Sequence, residues 1–478
     1  MVPDTEICER ARLSRDPRFD GCFVTAVLTT GIYCRPVCPA RAPARENVRY
    51  FRTPAAAQEA GYRPCLRCRP EAAGRLPEWT VGSETAVRGL RLIDAGYLND
   101  HGVEELAARL GCSGRHLNRV FVAELGATPA RFGRAHRVQL AKRLIDAGGL
   151  KLSDVAMHAG YGSLRRFNEE MKATFGCPPS HLRRHGAIRG AQPLKLKLPV
   201  RKPYNADWVF GYLAKRALAG VEAVQDRSYR RRLDATGSGW LEVRWEADGL
   251  TATVPAAMQG NIGDVLRRAR RLFDLDADSA AIDAHLSDDG LLGPRVRATP
   301  GLRVPGAWDG FEMAVRAILG QQVSVARATR LAAILMERFG DGGFPSPAVL
   351  AAVNPAEIGL PGRRGEAIRR LAEEVEAGSL QLDECVDSAE MRERLCSLPG
   401  IGSWTASYVA LRVARDPDAF PDSDWGVLKA LGTTAAGARR RARAWAPWRG
   451  YALMYLWRGG AQPRPGRAAA RALKTGGA

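Results

Sequence analysis

Four of the ten cysteines stand in two close pairs, Cys34 and Cys38 in TTGIYCRPVCPAR and Cys65 and Cys68 in GYRPCLRCRP, with 26 residues between the pairs. Together a C-x3-C and a C-x2-C pair offer four thiolates, the donor set of one tetrahedral zinc ion. The same thiols could form disulfides or act as nucleophiles, and spacing alone does not separate a structural metal site from a reactive thiolate. A second set of chemically capable residues lies near the other end. There LPGIGSWTA, Leu398 to Ala406, is followed about 20 residues on by FPDSDWGVLK, which carries Asp424. Gly400 and Gly402 permit a tight hairpin whose exposed N–H groups can hold a phosphate, and Thr405 onward restarts a helix. The neighbouring acid, Asp422, is expected to be solvent-exposed or to cap a helix.

The charge balance says what such sites act on. Seventy-one Lys and Arg against 51 Asp and Glu give a net charge of +20, so a polyanion is the expected partner, nucleic acid first and a membrane surface a weaker second. The opening MVPDTEICER has no apolar segment of signal-peptide type, and no apolar run reaches the roughly 18 residues of a membrane span. The expected location is the cytoplasm, at the nucleoid. Disulfides are rare there, which leaves metal ligation or thiol chemistry for the cysteine pairs. The other cysteines, Cys8, Cys22, Cys112, Cys177, Cys385 and Cys396, stand singly and need no role.

At 478 residues the chain has room for three to four domains. Between residues 80 and 186 it repeats itself. Ala107, Gly111, Leu117, Leu125, Gly126 and Pro129 align with Ala156, Gly160, Phe167, Phe175, Gly176 and Pro179. Each copy has an apolar helix ending at Gly, a short turn with a capping serine, Ser113 or Ser163, and an Arg-bearing amphipathic helix, which is the grammar of a helix-turn-helix. HGAIRGAQPLKLKLP reads as a linker. Beyond it, GWLEVRWEADGLTATVP alternates with period two around a turn at Asp248-Gly249, so a hairpin is expected in an α+β segment. From Trp308 the apolar spacing becomes helical.

Over residues 10 to 72, FVTAVLTTGIYCRPVCPARAPARENVRYF and AGYRPCLRCRPE resemble the N-terminal sensor domain of the Ada family of alkylation-response proteins. The resemblance implies that Cys34 accepts a methyl group from a methylphosphotriester in DNA while bound, with Cys38, Cys65 and Cys68, to one zinc ion. A centre of four thiolates and Zn²⁺ has a formal charge of about −2, and methylation removes one negative charge, which would tighten DNA binding. The repeat resembles the AraC-type DNA-binding domain, most specifically in GYGSLRRFNEEMKATFGCPPSHLR. It implies that Arg115, His116 and Arg119 in the first recognition helix and Arg165, Arg166 and Asn168 in the second face DNA, while Leu117, Val120, Phe121, Phe167, Met171 and Phe175 are core.

Hairpin, Gly/Pro-rich loop and aspartate resemble the helix-hairpin-helix DNA glycosylases, and residues 197 to 460 resemble AlkA-type 3-methyladenine DNA glycosylase II throughout. Asp424 then falls on the catalytic aspartate, and Trp404, Tyr408 and Trp457 fall on aromatics of the base pocket, with Trp425 next to the aspartate. Gln322 stands where that family has an apolar wedge. Trp404 occupies the place of the Schiff-base lysine of bifunctional relatives, so no lyase activity is expected. No cysteine follows Cys396, so no iron–sulfur cluster is expected, and no Pro-Cys-His-Arg string marks a second methyltransferase.

The expected architecture is multidomain and mainly α with α+β parts: a zinc domain (1–75), an all-α double helix-turn-helix (80–186), an α+β domain (197–300), an all-α helix-hairpin-helix domain (301–465) and a basic tail (466–478). The expected function is an alkylation sensor, transcription activator and excision enzyme in one chain, with double-stranded DNA and RNA polymerase as partners. The alternatives are a regulator whose glycosylase-like half only grips DNA, and an enzyme whose N-terminal half is a zinc-stapled clamp.

Overall fold

The computed structural model describes residues 4–70, 83–183, 192–233, 239–247, 249–358, 363–383 and 387–459. The basic tail, Cys385, Asp248 and the first part of the expected linker lie outside them. Among the described residues no helix is long and apolar enough to cross a membrane.

The N-terminal unit is a four-stranded sheet of β1 (Val24–Val27), β2 (Ile32–Cys34), β3 (Val48–Phe51) and β4 (Arg63–Pro64), in the order β3-β1-β2-β4. β4 runs parallel to β2, and the Cys65 N–H donates to the Tyr33 carbonyl at 3.0 Å. That pairing carries the second cysteine pair to the end of the strand that holds Cys34.

Helices follow. The first helix-turn-helix is Val103–Arg109 and Gly114–Leu125, and the second is Leu152–His158 and Leu164–Phe175, joined by the long helix Pro129–Ala147. Ser113 and Ser163 cap the two recognition helices, each accepting from the N–H three residues on at 3.2 Å. Gly126 and Gly176 end them at φ of +79° and +75°, a left-handed conformation that costs glycine nothing. Of the expected core residues, Leu117, Phe121, Phe167, Met171 and Phe175 are buried, whereas Val120 packs half-buried at the margin.

The next layer corrects the sequence reading. The end of the expected linker is a strand, β5 (Leu194–Leu198), with leucines inward and lysines outward, paired along its length with β9 (Gly249–Val254). It forms the edge of a five-stranded antiparallel sheet with β6 (Glu222–Gln225), β7 (Ser228–Arg232) and β8 (Trp240–Glu246), in the order β5-β9-β8-β7-β6. The Leu-Lys alternation of a half-buried strand is present in the sequence, but the flanking Gly and Pro mask it. The expected hairpin forms, with Glu246 opposite Gly249, so that Gly249 opens the return strand.

The helix-turn-helix unit is joined to this sheet through a common core. Val138, Leu140, Leu144, Phe167 and Met171 belong to the same buried cluster as Leu194, Leu196, Val243 and Leu266. At the other end, Arg91 donates to the Ala414 carbonyl at 2.9 Å. The zinc unit docks on the helices through Arg52 and Thr53, which donate to the Glu124 and Leu125 carbonyls at 2.7 and 3.1 Å.

The C-terminal helices surround two further cores. Arg303, with no exposed surface, ties their entry to the sheet unit by donating to the carbonyls of Asp274, Ala277, Arg201 and Pro203. Replacing it would leave several buried acceptors without donors, each costing about 1–3 kcal/mol. Arg303→Met is therefore expected to lose at least roughly 3 kcal/mol, measured as a fall in the urea midpoint of tryptophan fluorescence.

Candidate functional site

The hairpin expected from LPGIG is formed by helices Ser388–Ser397 and Ser403–Arg412. The second helix starts at Ser403, two residues before the expected Thr405. Gly400 has φ +86°, where a side chain would strain the backbone, and a Cβ there would lie a tight 3.0 Å from the Ala367 Cβ. Gly402 precedes the helix with no side-chain cap, leaving its first N–H groups open to an anion.

Asp424 caps the helix Trp425–Leu431. Its Oδ1 accepts from the Val427 N–H at 3.1 Å and from the Trp457 indole at 2.9 Å, and its Oδ2 accepts from the Trp404 indole at 3.0 Å. The carboxylate is held by three N–H donors from three chain segments, a placement that ordinary rotamer freedom would not give. Trp404 stacks on Tyr408 with ring centroids 5.5 Å apart and planes within 6°, and Tyr408 lies 6.3 Å from Trp457. Trp404, Tyr408, Asp424, Trp425 and Trp457 all line one cleft of about 600 Å³. Asp422 does not line it. It pairs with Arg439 at 2.6 Å and is half-buried, so among the described residues it is neither the exposed acid nor the helix cap that was expected.

Gln322 is exposed and has φ +56°, an uncommon conformation for a side-chain-bearing residue. The residue before it shows how this is held. Gln321 donates to the Gly400 carbonyl and to Thr405 Oγ1, both at 3.0 Å, and its own carbonyl accepts from Arg364. Gln322 is thus presented beside the hairpin.

Sequence reasoning missed the back of the cleft. Tyr212, from the helix Ala206–Ala214, brings its hydroxyl within 3.2 Å of the Tyr408 hydroxyl, and Arg412 Nη1 donates to both at 2.6 Å. Arg216 lies with its guanidinium 3.7 Å above the Tyr212 ring. Burial works to raise the Tyr408 phenol, but Arg412 and Arg216 outweigh it and lower it to about 8. For Tyr212 burial prevails and pushes the phenol up to about 12. The available signal was Arg412 itself, the one charged residue of the helix Ser403–Arg412.

The four paired cysteines converge as expected, with their sulfurs all within 4.8 Å of one another. A tetrahedron with metal–sulfur bonds of about 2.3 Å has edges of about 3.8 Å, so the set fits zinc. The Arg35 N–H donates to Cys68 Sγ at 3.3 Å, and the Arg35 side chain bridges the Cys68 carbonyl to Asp20. By contrast, the hydrogen bonds that act on Cys34 come from the Cys38 and Cys68 thiols, which a metal would deprotonate. Cys34 itself is half-buried.

Arg115, His116, Arg119, Arg165, Arg166 and Asn168 are all exposed on the recognition helices. They are not equally free. Arg119 donates to the His116 ring at 3.0 Å, Arg165 pairs with Glu169 at 2.9 Å, and Arg166 pairs at 3.2 Å with Glu170, which is buried and also paired with Arg134.

Family profiles match four successive segments: the metal binding domain of Ada at residues 7–71, a helix-turn-helix domain at 106–185, the AlkA N-terminal domain at 195–309, and the HhH-GPD superfamily base excision DNA repair protein at 315–443. A protein of Mycobacterium tuberculosis described as a probable bifunctional transcriptional activator/DNA repair enzyme AlkA is 41% identical over 96% of this chain and 97% of its own length. DNA-3-methyladenine glycosylase 2 of Escherichia coli is 36% identical over 53% of this chain and 94% of its own. The bifunctional transcriptional activator/DNA repair enzyme Ada of the same organism is 35% identical over 36% of this chain and 48% of its own. With four profiles in that order and a full-length relative at such identity, the chain belongs to the family of bifunctional transcriptional activator/DNA repair proteins in which Ada-type metal-binding and helix-turn-helix domains are joined to an AlkA-type helix-hairpin-helix domain.

Proposed function

We propose that the protein excises alkylated bases such as 3-methyladenine from duplex DNA, and that its N-terminal half senses methylphosphotriesters and activates transcription. The observation that carries the excision reading is the Asp424 carboxylate, fixed by two indoles and a helix N-terminus at the wall of an aromatic cleft beside a phosphate-binding hairpin. A flipped 3-methyladenine already carries positive charge, so it departs readily and the sugar becomes oxocarbenium-like. Asp424 stabilises that charge and orients the attacking water. The faces of Trp404 and Trp457 favour a cationic base, and Gln322 fills the gap the base leaves in the stack. Gly400 and Gly402 place hairpin N–H groups on a backbone phosphate.

On the regulatory side, Cys34, Cys38, Cys65 and Cys68 would hold one zinc ion, which when bound keeps the thiols deprotonated. The Cys34 sulfur attacks the methyl carbon of a methylphosphotriester, so an S–CH₃ bond forms as the CH₃–O bond breaks and the phosphodiester leaves. Cys34 suits this role better than Cys68 or Cys38, whose sulfurs receive hydrogen bonds from the backbone N–H groups of Arg35 and Ala40. The loss of one negative charge lets the recognition helices, with Arg115, His116, Arg119, Arg165, Arg166 and Asn168, dock more tightly in successive major grooves. Promoter-bound protein then acts on RNA polymerase at the nucleoid.

Asp424→Asn tests the excision reading. The amide keeps one acceptor oxygen for three donors, so a stability loss of about 1–2 kcal/mol is expected, and single-turnover release of 3-methyladenine should fall by at least roughly 10³-fold while duplex affinity holds. Near-normal release would remove Asp424 from catalysis. For the sensor, elemental analysis should find one zinc per chain, and mass spectrometry after incubation with methylphosphotriester DNA should place a single methyl group on Cys34. A methyl group on Cys65, or metal-free protein that still accepts the methyl group, would refute that assignment.

A further inference from the structure

The loop between the helices Gly310–Leu319 and Val325–Phe339 carries Gln322 at φ +56°, a conformation that a residue other than glycine adopts at a cost. The loop is pinned on both sides of it. Gln321 donates to the Gly400 carbonyl and to Thr405 Oγ1, both at 3.0 Å, Arg364 donates to the Gln321 carbonyl, and Ser324 caps the next helix by accepting from the Arg327 N–H at 3.3 Å. Gly320, Val323 and Ser324 line the Asp424 cleft, so Gln322 stands at the cleft rim beside the hairpin. It is exposed, and among the described residues its amide has no hydrogen-bond partner.

An apolar side chain that fills the place of an extruded base needs no partner there. A glutamine does. Once Gln322 enters the stack its amide is cut off from water, and burying it unpaired is costly. The polar surface within reach is the pairing edge of the base left behind on the other strand. We propose that Gln322, together with Arg327 and Arg364, reads the base opposite the lesion and favours a pyrimidine there, so that excision depends on what the damaged base was paired with. The proposal rests on the excision reading of the cleft and on the place of Gln322 in the stack.

The direction of the preference comes from counting donors. The Gln322 amide both donates and accepts and can serve any base, whereas guanidinium groups only donate. Partial burial, and then the charge of Arg327, pull the Arg364 guanidinium below its usual range, which places two cations on this loop. Among the described residues neither pairs with a carboxylate. Their remaining N–H groups need acceptors. Cytosine offers N3 and O2 on its pairing edge and thymine O2 and O4, but adenine offers only N1 and guanine only O6, each beside N–H groups that oppose a guanidinium. A pyrimidine is also the smaller ring and leaves more room for the side chains. Damaged adenine and guanine in ordinary duplex face thymine and cytosine, so the same contacts would mark the correct pairing.

The test uses the zinc-loaded full-length protein and four short duplexes in which a tetrahydrofuran abasic site, a gap that needs no chemistry, faces thymine, cytosine, adenine or guanine. Each is titrated in the presence of excess undamaged duplex. Dissociation constants opposite thymine and cytosine should lie roughly 10-fold below those opposite adenine and guanine. Gln322→Leu, which fills the gap without polar atoms, should bring the four values to within about two-fold of one another. Arg327→Gln, a change at an exposed position, should weaken binding opposite the pyrimidines and leave the purine duplexes nearly unchanged. Equal constants for the four wild-type duplexes would overturn the proposal. So would an Arg327→Gln loss that is the same opposite every base, because the arginine then serves a phosphate. Single-turnover release of 3-methyladenine from alkylated duplex, measured in parallel, checks the excision reading by itself: no release would overturn that reading, and with it the place given to Gln322.

Discussion

Arg412 ends the hairpin helix 2% exposed and, among the described residues, forms no ion pair with a carboxylate. Its Nε and Nη2 donate to the carbonyls of Pro305 and Gly306, its Nη1 to two phenols, and its backbone carbonyl accepts from the Ala307 N–H at 2.9 Å. Burying a cation among neutral acceptors is costly unless every donor is used. Here the acceptors are drawn from the sheet unit and the helical unit together, and the faces of Tyr212 and Tyr408 lie 5.0 and 5.5 Å away. One side chain therefore joins the two units, holds Tyr408 in the cleft wall and, through the Tyr408–Trp404 stack, supports the indole that grips Asp424.

The residues legible in the sequence were those whose partners are near in sequence or whose chemistry is unusual. The serines at 113 and 163 cap within three residues, the glycines at 126 and 176 answer a local backbone need, and four paired cysteines in a basic chain point to a metal. Asp424 was legible by resemblance, but its three donors come from positions 404, 427 and 457 and were not. Tyr212 and Arg412, which meet in the cleft wall, lie 200 residues apart and have no periodicity in common. β5 is hidden in the sequence because its alternation is short and flanked by breakers, although strand pairing with β9 outweighs them. The tether of Arg166 to a buried Glu170 is a matter of which face the helix turns inward, and the arginine spacing alone did not show it.

The long helix Pro129–Ala147 and the β5 edge place leucines from the two halves of the molecule in one core. A side chain at Gly263, in the helix Ile262–Leu272, would start 3.5 Å from Leu140 Cδ2, so the halves meet at van der Waals contact. A stand-alone form of either half would turn Leu140 or its neighbours to water. The relatives that align with only one half of this chain have no such second half in the alignment. In terms of cooperativity the seam couples the two halves: a substitution at Leu140, Leu194 or Leu196 alters packing on both sides of it and so changes the stability of both at once.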